Sequence, residues 1–331
     1  MVAQVDLAYI SQRPTKLISR LVSYALFEGR PLTTKGRWIN PLVFGLLSMA
    51  KHCPSLRKVR EPVFILGTGR SGTTVLGIVL SMHRAVGFLN EPKALWHSIH
   101  PNEDLIGSYT RETASYRLAA GDATDLRRQW IHRIFGMYLT TTFSNRVVDK
   151  YPELIFRVPF VRALFSDAKF IFLMRNGWDT CRSIEGWSNR LGEQVNGEVH
   201  DWWGVNRRKW QLLIEQIVPE HADLAPYQAA IAKFTKQADM AAVEWIVTMR
   251  EGLALLKNNP ADVMGIKFED LSQQPESMLR SLSNFLGLED DATFLAYGEK
   301  TLHPVPDAGT FDLHPLIVAP FHATMKQLGY A

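Results

Sequence analysis

Pro62-Val-Phe-Ile-Leu-Gly67 followed by Thr68-Gly-Arg-Ser-Gly-Thr-Thr74 decides the reading of this chain. The first six residues form a short apolar run closed by glycine, the pattern of a strand buried on both faces of a parallel sheet. A helix is expected from about Gly72 to Met82. Glycines between a strand and a helix serve a turn with unusual torsions and a backbone that approaches a ligand closely. The amides of such a turn, with the free N–H groups of the first helical turn, point at an anion. Compared with the nucleotide loop G-x-x-x-x-G-K-[ST], Gly67, Gly72 and Thr74 match, but Thr73 stands in the lysine position and the cation is Arg70 inside the loop. The loop suits a phosphate. It lacks the lysine that a triphosphate-cleaving enzyme uses on the β- and γ-phosphates.

Outward from the loop, strand-like and helical segments alternate. Arg146–Asp149, Lys169–Met174 and Asp262–Lys267 read as further strands. Helices are expected over Leu126–Thr141, Glu153–Phe165, Gly177–Arg190, Pro275–Leu286 and His314–Leu328, and residues 199–259 read as mostly helical. This pattern defines an α/β fold, P-loop-like and three-layered, with a central parallel sheet flanked by helices. Residues 1–60 read as a helical lead-in packed on the domain, and residues 61–331 as one domain with helical insertions near 95–145 and 185–260.

Composition excludes several classes. With 331 residues, 46% hydrophobic and 21% charged, the chain can bury a full core. A net charge of +4 without a Lys/Arg block gives no sign of nucleic-acid binding. Two cysteines, Cys53 and Cys181, are too few for a disulfide framework. Met1–Asp6 lacks a basic start followed by an apolar core, so no signal peptide is expected, and the cytoplasm is the expected location. Leu17, Leu21 and Ala25 recur at helical spacing beside Lys16 and Arg20. Such a helix can lie on a membrane surface, but packing on the domain is the reading adopted. No His/Cys cluster or D-x-D pair calls for a metal.

Arg-Ser-Gly-Thr-Thr after an apolar strand resembles the 5′-phosphosulfate loop of sulfotransferases that use 3′-phosphoadenosine 5′-phosphosulfate (PAPS). It is most similar to the Golgi and bacterial branch, which includes tyrosylprotein and carbohydrate enzymes; the cytosolic branch has Lys at position 70 and Trp at position 75. The family's second anion site, Arg-x-Pro-x-x-x-x-x-Ser, resembles Arg175-Asn-Gly-Trp-Asp-Thr-Cys-Arg-Ser183, with Gly177 in place of the proline. Alone, Arg175 would read as a surface ion pair and Ser183 as a solvated helix serine. Together, after this loop, they point to a phosphate, for which a guanidinium is well shaped. Lys267-Phe-Glu-Asp-Leu271 echoes a third family segment, with Phe268 where the tyrosylprotein branch has a cofactor-touching Tyr.

The resemblance implies PAPS as donor, held by Arg70, Ser71, Gly72, Thr73, Thr74, Arg175 and Ser183, and a hydroxyl-bearing acceptor. It implies three catalytic groups. Arg70 would stabilise charge on the sulfuryl oxygens. Glu91, twenty-one residues after Arg70, would be the base, its pKa raised by burial or its proton transfer late. Lys150, in Asp149-Lys-Tyr-Pro152, would be a helper cation. His97 and His83 are rival bases, and Glu91 could instead serve a helix N-terminus. Trp187, Trp202, Trp203, Trp210 and Trp245 could line an acceptor site or fill a core. The acceptor stays open among carbohydrate, lipid or other small molecule, and tyrosine. The competing functions are an atypical P-loop nucleotide kinase and a non-catalytic nucleotide-binding protein.

Overall fold

A five-stranded parallel sheet organises the chain, its strands lying side by side in the order Val86–Asn90, Arg146–Lys150, Val63–Gly67, Lys169–Met174 and Val263–Lys267. The computed structural model describes residues 5–32, 34–259, 261–307 and 309–330; the part of the signal-peptide expectation that concerns residues 1–4 lies outside them. In chain order, α1 (Leu7–Gln12), α2 (Pro14–Val22), a π turn (Ser23–Phe27) and α3 (Asn40–His52) precede β1 (Val63–Gly67). There follow α4 (Thr73–Met82), β2 (Val86–Asn90), α5 (Lys93–Ile99), α6 (Asp125–Thr141), β3 (Arg146–Lys150), α7 (Val158–Leu164) and β4 (Lys169–Met174). Next come α8 (Gly177–Leu191), the strands β5 (Glu193–Val195), β6 (Glu198–Asp201) and β7 (Gly204–Val205), then α9 (Arg208–Gln216), α10 (Gln228–Ile231) and α11 (Gln237–Asn258). The chain closes with β8 (Val263–Lys267), α12 (Phe268–Gln273), α13 (Pro275–Leu286), α14 (Ala292–Thr301) and α15 (Pro315–Gln327).

The sheet is buried on both faces, and the period-two geometry of a strand divides its side chains. Phe64, Leu66, Phe170 and Phe172 enter a core with α3, α6 and α11. Val63, Ile65, Ile171 and Leu173 enter the opposite core with α4, α13 and α14. Three layers result, as the near-continuous apolar runs of β1 and β4 require. Because all five strands are parallel, their C-terminal ends share one edge. The loop after β1 lies between β3 and β4 there, in the crevice where open α/β sheets bind ligands.

Three sequence expectations are corrected. Residues 193–205 are an antiparallel sheet, β5-β6-β7, within the segment read as helical. Its turn is Asn196-Gly197, with φ of 53° and 83°, the pair of left-handed residues that a two-residue hairpin demands. Asn-Gly was the available signal. The helix expected from Glu153 begins instead as a tight 3-10 segment, Pro152–Arg157, before α7. Helix α14 has no counterpart among the expected elements.

The lead-in is fastened by polar contacts. Arg13 makes a two-pronged pair with Asp291 at 2.6 Å and donates to the Met82 carbonyl. Lys16 donates to the Val86 carbonyl at 2.7 Å, and Arg20 to that of Phe88 at 2.8 Å and to Glu28. The two cations of the amphipathic stretch are thus buried against β2. Burial would raise the Asp291 carboxyl, but Arg13 and the amides of Arg84 and Phe294 outweigh it and hold the group well below its ordinary range. Arg13→Ala is expected to cost about 1–3 kcal/mol in urea denaturation at neutral pH. A depressed carboxylate pKa stabilises above its unfolded value, so the gap between wild type and variant should close as acid protonates Asp291.

Candidate functional site

The loop between β1 and α4 is shaped by close contacts that leave no room for side chains at its glycines. Gly67 has φ 145°, and a Cβ there would lie 2.6 Å from the Leu173 carbonyl oxygen. Gly72, at φ 95°, would place one 2.3 Å from the Phe268 ring. Gly72→Ala is expected to abolish nucleotide binding measured by calorimetry, because both the torsion and the ring must yield. Arg70 is itself left-handed, at φ 70°, a strained state for a residue with a side chain.

Arg70 and Arg175 share one cavity. Its volume is about 400 Å³, and Gly72, Thr73, Thr74, Ser183 and Phe268 also line it. Arg70 Nε donates to Ser183 Oγ at 3.1 Å, and Arg175 Nη1 to the Arg70 carbonyl at 3.1 Å. The Arg175 guanidinium lies 4.9 Å from the centre of the Phe268 ring. Burial and the neighbouring guanidiniums of Arg190 and Arg175 lower the Arg70 pKa. Crowded cations of this kind suit an anion. Arg175 Nε is buried and has no hydrogen-bond partner among the described residues.

Ser71 departs from its expected role. Its side chain is fully buried, Oγ donates to the Thr68 carbonyl at 2.6 Å, and its amide turns to the same oxygen. Ser71 braces the turn from inside. Phe268 supplies an aromatic wall and no polar contact. The residue after it was missed as a support: Glu269 accepts from the Asn176 amide at 2.9 Å and from Tyr330 Oη at 2.7 Å, which fixes the loop carrying Arg175.

On the other side of the loop lies a second cavity of about 290 Å³, bordered by Arg70, Thr74, Glu91 and Lys150. Glu91 follows β2 and Lys150 ends β3, and the pairing Asn90↔Lys150 sets them side by side. The Glu91 amide donates to the Lys150 carbonyl at 2.7 Å, and Lys150 Nζ donates to Glu91 Oε1. Glu91 is held at φ 49°. The Lys93 ammonium stands 3.5 Å from its other oxygen. Glu91 therefore does not cap α5, whose first residue is Lys93. Nor is its pKa raised. Burial pushes it up, but Lys150 and Lys93 prevail and bring it from 4.5 to about 2.

The rival histidines lie elsewhere. His97 Nδ1 meets the Pro101 carbonyl, and its ring packs with Phe44 and Tyr109. His83 bonds the Glu289 carbonyl beside α14. Neither borders the cavity, whereas His200 of the hairpin does. The tryptophans divide: Trp203, Trp210 and Trp245 are core, while Trp187 and Trp202 are cavity wall. Tyr24, Pro31, Leu32 and Thr34 of the lead-in complete the wall. Among the described residues no His/Cys/Asp/Glu group could hold a metal, and no helix is long and apolar enough to cross a membrane.

The glycine loop lies between two parallel strand ends with two cavities meeting at it, the place where open α/β sheets bind ligands. Residues 62–212 match the profile of the sulfotransferase family. A candidate protein-tyrosine sulfotransferase of Caenorhabditis briggsae is 21% identical over 254 residues, 75% of this chain and 70% of that protein. The crystal structure of sulfotransferase STF9 from Mycobacterium avium superposes with a TM-score of 0.51 at 14% identity, covering 96% of this chain and 90% of that one. At that identity the likeness is one of fold.

Proposed function

We propose that this chain is an enzyme that transfers a sulfuryl group from PAPS to a hydroxyl of an acceptor. The observation that carries the reading is the pair of cavities sharing Arg70 and Thr74. One gathers Arg70, Arg175 and Ser183; the other presents Glu91 and Lys150. A donor with anionic groups at both ends fits the first, and the unpartnered Arg175 Nε supports that fit. PAPS would supply a sulfuryl group on a phosphate leaving group.

The roles follow from position. Arg175 and Ser183 would hold the 3′-phosphate. The amides of Gly72, Thr73 and Thr74, with the Thr hydroxyls, would hold the 5′ end. Arg70, between the cavities, would stabilise charge on the sulfuryl and bridging oxygens, where fixed donors are worth about 3 kcal/mol each. Glu91 would take the acceptor proton. The acceptor oxygen bonds to sulfur, the bond from sulfur to the 5′-phosphate oxygen breaks, and the proton passes to the carboxylate. A carboxylate held near 2 is a weak base for a free alcohol. It suffices when proton loss is late, because an oxygen already bonding to sulfur is strongly acidic. Lys150 would orient Glu91 and offset charge on the transferring group.

Calorimetry with adenosine 3′,5′-bisphosphate against ATP tests the donor, with tighter binding of the bisphosphate expected. Preference for ATP would favour a kinase. Transfer of labelled sulfate from PAPS to a panel of sugars, phenols and lipid alcohols tests catalysis; an inert wild type that still bound the bisphosphate would leave a binding protein.

A further inference from the structure

Behind Glu91 the charges continue inward in alternating sign. Lys93 Nζ lies 3.9 Å from Glu153 Oε1, Lys209 Nζ lies 3.4 Å from that same oxygen, and Lys209 pairs with Glu244 at 2.5 Å. With Lys150 and Glu91 this makes a line of three ammoniums and three carboxylates running from β3 to α11. Its inner members are well buried: the side chain of Lys209 is 3% exposed and that of Glu244 6%. Burying ions costs several kcal/mol each, and apolar side chains of similar size would serve stability as well. Such a line is better explained by what it orients.

The line ends on Trp202. Trp202 Nε1 donates to Glu244 Oε2 at 2.7 Å, and the Lys209 ammonium sits 4.8 Å from the centre of its ring. The indole lies on the phosphate loop so closely that a Cβ at Gly69 would be 2.4 Å from it. Trp187 meets it edge-on at 5.4 Å. One end of the ion line therefore fixes Glu91, and the other fixes the ring that covers the loop. The two ends act on the same small volume, between Gly69 and Glu91, that borders the second cavity.

We propose that Glu153, Lys209 and Glu244 are positioning residues that hold Trp202 as a water-excluding roof over the donor loop and Glu91 beside Lys150 as one rigid unit. This rests on the sulfuryl-transfer reading. Without the roof, a water oxygen would bond to sulfur and the bond from sulfur to the 5′-phosphate would break. Its protons would pass to Glu91 and solvent, leaving sulfate and adenosine 3′,5′-bisphosphate. Loosening the line should raise this wasteful hydrolysis, whereas a merely structural defect would lower every rate.

The test measures sulfate released from labelled PAPS with no acceptor present, alongside calorimetry with adenosine 3′,5′-bisphosphate, on the full chain. Trp202→Phe keeps the aromatic cover and loses the donor to Glu244; Lys209→Met removes the central ammonium; Lys209→Arg restores a cation. Hydrolysis is expected to rise about tenfold in Trp202→Phe and Lys209→Met and to return toward wild type in Lys209→Arg. Bisphosphate affinity should stay within about twofold throughout. If Lys209→Met fails to fold, Trp202→Phe carries the test, since it leaves every buried charge paired. Wild type that does not bind the bisphosphate overturns the sulfuryl-transfer reading and this proposal with it. Tight binding with hydrolysis no faster in the variants overturns this proposal alone.

Discussion

Glu91→Gln is expected to lower sulfuryl transfer by about 10²–10⁴-fold while leaving the Kd for adenosine 3′,5′-bisphosphate within about twofold. The amide keeps the size of the carboxylate but cannot take a proton. Glu91 borders the second cavity, not the one that gathers Arg175 and Ser183, so nucleotide binding should hardly notice. Lys150→Met is the companion variant. It removes the ammonium that orients Glu91 and should reduce the rate as well, again with the bisphosphate still bound. The pH profile is diagnostic. The two lysines hold Glu91 ionised down to about pH 2, so it contributes no acid limb to transfer between about pH 5 and 8. For stability the sign is that of any depressed carboxylate. The pairing stabilises above the ordinary 4.5 and is lost as pH falls through about 2. A transfer rate unaffected by Glu91→Gln would remove the residue from the chemistry.

Arg175→Met is expected to weaken adenosine 3′,5′-bisphosphate binding by about 1.5–3 kcal/mol, or roughly 10- to 150-fold in Kd. The loss should vanish for adenosine 5′-phosphosulfate, which lacks the 3′-phosphate, so calorimetry with both ligands assigns the residue to one end of the nucleotide. Methionine retains apolar contact with Phe268 and leaves the Arg70 carbonyl without its donor at 3.1 Å. Part of any general loss would come from that carbonyl, and the second ligand measures that part. Equal weakening of both ligands would place Arg175 in the loop's support and not on the 3′-phosphate.

The loop after β1 and the pair Arg175 and Ser183 are legible because their parts are neighbours in the chain. A strand, a glycine turn, a cation and a helix N-terminus lie within thirteen residues, and Arg175 and Ser183 are set by one strand end and the turns of α8. The side-chain direction of Ser71 was not legible, since the same loop sequence permits a hydroxyl turned outward or, as here, inward to Thr68. The second cavity is poorly legible. Glu91 and Lys150 are 59 positions apart, and whether neighbours raise or lower a carboxyl depends on distances that a sequence does not contain. A raised pKa and a late proton transfer were the two routes expected for Glu91, and the lysines that lower its pKa remove the first. The hairpin at 193–205 is hard to read from the sequence because the helical pattern of the tryptophan-rich segment outweighs Asn196-Gly197.

From residues alone came the layered α/β fold and the glycine turn between a strand and a helix, because apolar periodicity and turn chemistry act between adjacent residues. The tertiary structure alone decided which tryptophans are wall and which are core, that the lead-in closes the second cavity, that His83 and His97 stand apart from it, and that Glu91 rests between two ammoniums. Those outcomes depend on packing between elements remote in the chain, and both burial and Coulomb energy are set by distance in space.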